Sequence, residues 1–188
     1  MKVGLYGGTF DPIHHGHLIL AREALETLEL DRLVFIPNTI SPHKIIHIAA
    51  PAPLRQAMVA AAIDSEPRFE VDDHEIRREG VSYTIDTLLY FKERLPDAEF
   101  FYLIGKDNLR ELHTWRRIDE ITMLARLVVL SRSESDAVHP YLTLQRQVDI
   151  SATEIRARVA KGASIRYLVP ESVRAIIEQN QLYREQTD

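Results

Sequence analysis

The 188-residue chain is 45% hydrophobic and 27% charged, which most simply makes a single domain over residues 1–188 with a sizeable core. A formal net charge of −5 and the absence of cysteine exclude disulfide and thiolate chemistry and argue against a nucleic-acid partner, because proteins that track phosphate backbones carry a basic face. No uncharged apolar run approaches the ~18 residues of a membrane span, and Met1-Lys2 leads straight into a strand with no room for a signal peptide, so a cytoplasmic protein acting on small molecules is expected.

Apolar runs alternate with helical patterns along the chain, the signal of stacked βαβ units. Val3–Tyr6 reads as the first strand. His14–Leu28 reads as the first helix, with an apolar stripe of Leu18, Leu20, Ala21, Leu25 and Leu28. Leu33–Pro37 is the next strand, ending in a turn-rich loop from Asn38 to His43, and Leu54–Ile63 is an alanine-rich helix. Arg68–Val71 is a short strand. Thr84–Leu95 is a helix with Ile85, Leu88, Leu89 and Phe91 on its inner side. Phe100–Ile104 and Leu127–Ser131 are buried strands, and Val148–Ile150 is a short strand before the helix Ala152–Ala160. Glu171–Gln179, opened by Pro170, is the last helix.

Near-continuous apolar strands suit a parallel sheet covered on both faces. The expected fold class is therefore α/β, a doubly wound parallel sheet with helices on both faces. Ligands of such sheets collect beyond the carboxyl ends of the strands. Four polar segments stand there: Gly7–Asp11, Asn38–Lys44, Gly105-Lys106-Asp107 and Ser151–Arg156. Their convergence predicts one cleft.

The first strand runs into Gly7-Gly8-Thr9-Phe10-Asp11-Pro12-Ile13-His14-His15-Gly16-His17. Paired glycines allow close approach of an anion, and a following helix aims its free N–H groups and positive dipole end at it. His14 and His17, three apart on a first helical turn, share a face, and His15 points elsewhere. Imidazoles of ordinary pKa near ~6.5 donate hydrogen bonds to phosphate oxygens as charge builds there. Histidines at this spacing with Asp11 nearby are also compatible with zinc, though a proline turn with glycines fits an anion better.

The other segments are ambiguous on chemistry alone. Ser151 with Glu154 is a capping box, yet Ser151, Thr153 and Arg156 would equally surround a phosphate. Lys44 follows Ser41-Pro42-His43, and a loop lysine is ordinarily solvated. Ser82-Tyr83-Thr84 before a helix offers N–H groups and a hydroxyl to a small carboxylate, or is simply a cap. Asp107 can accept from ribose hydroxyls. Trp115, the sole tryptophan, is either a packing residue or a stacking platform.

The His14-His15-Gly16-His17 run, preceded by Gly8-Thr9-Phe10-Asp11-Pro12, resembles the HxGH-type nucleotidyltransferases. These join a nucleoside triphosphate to a phosphate-bearing acceptor and expel pyrophosphate on a Rossmann-like sheet. Ile150–Arg156 resembles the family's ISSTxxR triphosphate element, with Ala152 in place of the second serine. Pro42-His43-Lys44, Ser82-Tyr83-Thr84, Gly105-Lys106-Asp107 and Trp115, with Gly162–Pro170 and Gln181-Leu182-Tyr183, resemble the nicotinate-mononucleotide adenylyltransferases in particular.

That resemblance implies ATP and nicotinate mononucleotide as partners and Mg2+ accompanying the triphosphate, with no dedicated protein metal ligands. It implies His14, His17, Lys44 and Arg156 as the reacting-site residues. Gly7, Gly8, Thr9, Phe10, Ser151 and Thr153 would join them around ATP. Lys44, Tyr83, Thr84, Asp107, Trp115 and Arg116 would hold the mononucleotide, the ring stacked on Trp115 and its carboxylate on Thr84 and the Arg116 N–H. Pantetheine phosphate is the alternative acceptor, and a nucleotide sensor without turnover is the alternative outside catalysis. A homo-oligomer is compatible with the sequence, which leaves the oligomeric state open.

Overall fold

The computed structural model describes residues 1–39, 50–78, 80–132 and 139–184. Its frame is a sheet of six strands: β1 (Lys2–Gly8), β2 (Arg32–Pro37), β3 (Phe69–Val71), β4 (Glu99–Gly105), β5 (Arg126–Ser131) and β6 (Leu142–Gln145). The order is β3-β2-β1-β4-β5-β6, and every pairing is parallel. Strand order reverses between β1 and β4, which pair from Lys2↔Glu99 to Tyr6↔Leu103. A crevice therefore opens beyond their carboxyl ends.

The helices are α1 (His15–Thr27), α2 (Ala52–Ile63), α3 (His74–Arg78), α4 (Thr84–Arg94), α5 (Ile118–Leu124), α6 (Ala152–Ala160) and α7 (Glu171–Gln179), with a 3-10 segment at Lys106–Thr114. Alternate strand residues feed opposite faces of the sheet. Tyr6, Phe35, Leu103 and Leu130 pack on one face against Ala21 and Leu25 of α1, Met58 of α2, Ile155 of α6 and Val173 of α7. Leu5, Ile36, Tyr102 and Val129 pack on the other against Ile85 and Leu88 of α4 and Ile121 of α5. Two buried layers thus clamp the strands, and the doubly wound parallel fold expected from the apolar runs is the one observed.

Two local expectations fail. Val148–Ile150 is not a strand; the edge strand is β6, whose Gln145 pairs with Ser131. Instead the Val148 N–H donates to Arg132 O at 3.3 Å, and Arg132 Nη1 donates to Ile150 O at 2.5 Å. A side chain thus satisfies part of the backbone that a ladder would have paired, and the segment curves across the mouth of β5. In α4, Leu89 faces solvent, and the buried side comprises Ile85, Thr87, Leu88 and Phe91. Thr87 enters the interior because its hydroxyl donates to the buried Glu75 at 2.6 Å.

Candidate active site

Two adjoining hollows open where the sheet changes direction. The larger, about 790 Å³, is walled by Gly7–Asp11, by His14 and His17, by Gly105–Asn108 beyond β4, by Arg132 beyond β5, and by Ile150–Thr153 with Arg156 at the start of α6. The smaller, about 90 Å³, is lined by Asn38, Glu75, Ser82, Tyr83, Thr84, Tyr102, Trp115 and Arg116, among others. Gly7, Gly8, Thr9 and Asn108 border both. A ligand spanning the two would pass over the end of β1.

The glycines serve their neighbours as much as a ligand. A Cβ on Gly7 would collide with the Tyr102 hydroxyl, and one on Gly8 would lie 2.8 Å from the Phe10 ring. Phe10 adopts φ 47° and is buried. Its ring stands edge-on to Tyr6, His17 and Phe35, at centroid distances of 5.4, 5.2 and 5.7 Å. Phe10 therefore contributes to the cleft as a packed wedge beneath His17.

His14 caps α1 with extended backbone rather than opening its first turn, and its N–H donates to His17 Nδ1 at 3.3 Å. The two rings stack at 3.7 Å, and His15 does not line the cleft. His14 is nearly inaccessible, and its Nδ1 has no hydrogen-bond partner among the described residues. Burial, helped by the nearby Arg132 guanidinium and His15, pulls its pKa from 6.5 to about 3. The ring is therefore neutral at physiological pH and offers one N–H to an incoming oxygen; a bound phosphate would favour its protonation.

The turn after β1 is held from below. Arg55 of α2, 1% exposed, donates through Nη1 to Thr9 O at 2.6 Å and through Nε to Ala50 O at 3.1 Å. The buried Asp11 carboxylate accepts from the Ala50 N–H at 3.2 Å and from the Tyr183 hydroxyl at 2.7 Å. Asp11 is thus a structural anchor, and among the described residues no group of three His, Cys, Asp or Glu is arranged to hold a metal ion.

At α6 the Ser151 hydroxyl accepts from the Glu154 N–H at 3.1 Å, so the cap is real, and its own hydrogen remains a donor toward the cleft. Arg156 Nη1 donates to Asp11 O at 2.7 Å, and Nη2 to Thr153 Oγ1 at 3.4 Å. The guanidinium is thereby fixed across the mouth. Lys106, Arg132 and Arg156 bring three cations to a cleft that also holds the Asp11, Asp107 and Asp149 carboxylates and the two imidazoles. Such a mix accommodates a polyphosphate carried with a divalent cation, whose remaining ligands are phosphates and water.

In the smaller hollow the Thr84 hydroxyl donates to Tyr102 OH at 3.4 Å. Tyr102 meets the Trp115 ring edge-on at 6.3 Å, and the Arg116 guanidinium lies 5.1 Å from the Tyr83 ring. Tyr83, Thr84, Trp115 and Arg116 therefore come together as expected. Asp107 does not join them; it lines the larger cleft. Lys44 and its neighbours Ser41, Pro42 and His43 lie outside the described residues.

Sequence reasoning gave no site role to Arg132, Arg55, Glu75 or Tyr183. Arg132 had a signal, standing one residue past a strand at its carboxyl end. Arg55 and Tyr183 reach the site from 46 and 172 residues away, and no local pattern announces such contacts.

The sequence model of the cytidylyltransferase-like family matches residues 5–158. The probable nicotinate-nucleotide adenylyltransferase of Geobacillus thermodenitrificans (strain NG80-2) is 42% identical over 99% of this chain and 88% of its own. That of Shouchella clausii (strain KSM-K16) is 43% identical over 100% of this chain and 99% of its own. Among solved structures, Plasmodium falciparum nicotinic acid mononucleotide adenylyltransferase complexed with NaAD has a TM-score of 0.81 at 18% identity, covering 97% of each chain, a likeness of fold. The chain belongs to the cytidylyltransferase-like family and, within it, to the nicotinate-nucleotide adenylyltransferases.

Proposed function

We propose that the chain joins the AMP moiety of ATP to nicotinate mononucleotide, yielding nicotinate adenine dinucleotide and pyrophosphate for NAD biosynthesis. The observation that carries this reading is the pair of adjoining hollows with a shared Gly7–Thr9 wall, one larger and furnished with Lys106, Arg132 and Arg156, one small and bordered by Tyr83, Tyr102 and Trp115. ATP fits the first. A pyridine ring with a carboxylate fits the second, between Trp115 and the Thr84 hydroxyl. Their common edge is where the acceptor phosphate meets the α-phosphorus.

The acceptor phosphate is already ionised, so it attacks the α-phosphorus in line and no protein nucleophile is required. Catalysis reduces to alignment and to stabilising charge on the α-phosphoryl oxygens and the leaving pyrophosphate. His14 and His17 donate to the phosphoryl oxygens. Arg156 and Lys44, together with Arg132, meet the polyphosphate; Ser151 and Thr153 add hydroxyl donors at the α6 N-terminus. Asp107 accepts from a ribose hydroxyl at the cleft edge. A magnesium ion carried in on the triphosphate would supply charge neutralisation to the leaving pyrophosphate. ATP supply makes the cytoplasm the compartment of the reaction.

The test is pyrophosphate release from ATP with magnesium, comparing nicotinate mononucleotide with its amide. Fast turnover of the acid and slow turnover of the amide supports both the reaction and the Thr84 carboxylate site. Activity with neither, and with pantetheine phosphate instead, overturns the acceptor.

A further inference from the structure

An acidic residue borders the hollow assigned above to a carboxylate ligand. Glu75 of α3 is 4% exposed and borders the same small cavity as Thr84, Tyr102 and Trp115. Its Oε1 accepts from the Thr87 hydroxyl at 2.6 Å, and the Ser82 hydroxyl is its second partner. Its backbone carbonyl accepts from the Thr39 hydroxyl at 2.8 Å, while the Thr39 N–H donates to Ser82 Oγ at 3.3 Å. Glu75 thus ties the exit of β2 to the first turn of α4, where Thr84 stands. Two anions brought together in so small a space oppose each other.

We propose that Glu75 sets the charge preference of the acceptor pocket: as the neutral acid it lets an anionic ring substituent seat there, and as the carboxylate it excludes one. The inference rests on the acceptor reading above. Burial pushes the Glu75 carboxyl above its ordinary value, outweighing the Thr87 and Ser82 hydrogen bonds. The charged and titratable groups facing it are Arg78 and Asp72 from its own segment and Tyr102 from β4; Arg116 shares the cavity. Arg78 is engaged with Asp86 at 2.6 Å and with Val81 O at 2.8 Å, so its charge is largely compensated. Burial and the neighbouring Glu75 push the Tyr102 phenol up, leaving it neutral across the working range. Among the described residues that line this hollow, Glu75 is therefore the one carboxyl that can oppose an anionic ligand.

The experiment measures KM for nicotinate mononucleotide and for its amide between pH 5.5 and pH 9, and takes their ratio. Both acceptors carry the same phosphate, so its titration cancels. For the wild type the acid-to-amide KM ratio should rise with pH as Glu75 ionises, each unit of coupling between the two carboxyl groups being a factor of about ten. Glu75→Gln, uncharged at every pH, should flatten the ratio. Thr87→Val, which removes a donor to the carboxylate, should move the rise to higher pH; it keeps the inference testable if the Gln variant does not fold. A flat wild-type ratio, or an unchanged rise in Glu75→Gln, overturns the role of Glu75 while leaving the acceptor intact. No turnover of nicotinate mononucleotide by the wild type at any pH overturns the acceptor reading and this inference together.

Discussion

The two stacked histidines differ in what they give up on substitution. His17 is only half-buried, and its Nδ1 accepts the His14 N–H. His17→Ala should lower kcat by on the order of 10²–10³, the usual cost of one transition-state donor, and should cost about 1 kcal/mol of stability for the lost hydrogen bond. Steady-state rates beside a denaturant midpoint separate the two effects; near-normal turnover would remove His17 from the reacting site. His14 is a buried neutral base. Because its folded pKa of about 3 lies below the unfolded 6.5, the unfolded chain binds the extra proton. Its contribution is complete above pH 6.5 and is lost as pH falls toward 3. His14→Asn keeps a good N-cap residue without a titrating group. Relative to the wild type the variant should therefore gain about 2–3 kcal/mol on going from pH 7.5 to pH 4.5, while kcat collapses at both. Urea midpoints at the two pH values check the first claim. A parallel acid loss in both proteins would show that His14 is not the buried base.

At the scale of the element, the site also depends on helices, α2 and α7, whose side chains line neither hollow. Helix α2 sends Arg55 under the turn after β1, where it holds Thr9 O and Ala50 O beside Asp11. Arg55→Leu leaves the Asp11 carboxylate buried without its compensating charge and two carbonyls without donors. The expected loss is about 3–5 kcal/mol, with a raised KM for ATP in whatever fraction folds; Arg55→Lys, which keeps the charge, should recover part of both. Denaturant midpoints and ATP titrations read this, and an unaltered KM in Arg55→Lys and Arg55→Leu alike would confine Arg55 to the core. The contrast with α6 shows what a sequence makes legible. Ser151 and Glu154 announce a cap because both partners lie within one turn, and the cap is found where the pattern puts it. The long strands were equally legible, since four or more consecutive buried residues leave a signal that no loop imitates. Val148–Ile150 misled because a short β-branched segment reads alike whether its backbone meets a strand or the Arg132 guanidinium. Arg55 was illegible for the same reason in reverse: an arginine in an alanine-rich helix looks solvated until the turn packed over it is known.

At the scale of the molecule, a chain of net charge −5 still draws Lys106, Arg132 and Arg156 from separate crossovers to one end of the sheet, where they offset the Asp11, Asp107 and Asp149 carboxylates of the same cleft. In the proposed function these local cations, rather than an overall field, meet the triphosphate. The end of the chain closes this arrangement. Helix α7 packs on α2, where the Ser172 hydroxyl donates to Ala61 O at 2.9 Å, and Val173, Ile177 and Leu182 join the buried layer under α1 and α2. Tyr183 then reaches Asp11, whose backbone carbonyl is gripped by Arg156. Burial and Asp11 both push the Tyr183 phenol up, so it stays a hydrogen-bond donor across the working range. One carboxylate thereby joins the turn after β1, the approach to α2 and the segment that follows α7. Tyr183→Phe deletes a single oxygen from this junction. It should cost about 2 kcal/mol, the usual worth of a hydrogen bond to a charged group, because Asp11 keeps only part of its shell. If the junction also aligns Arg156, KM for ATP should rise severalfold while KM for the acceptor stays put, since the small hollow shares no contact with Tyr183. A stability loss with both KM values unchanged would mean that the C-terminal segment supports the fold and leaves the nucleotide cleft to hold itself.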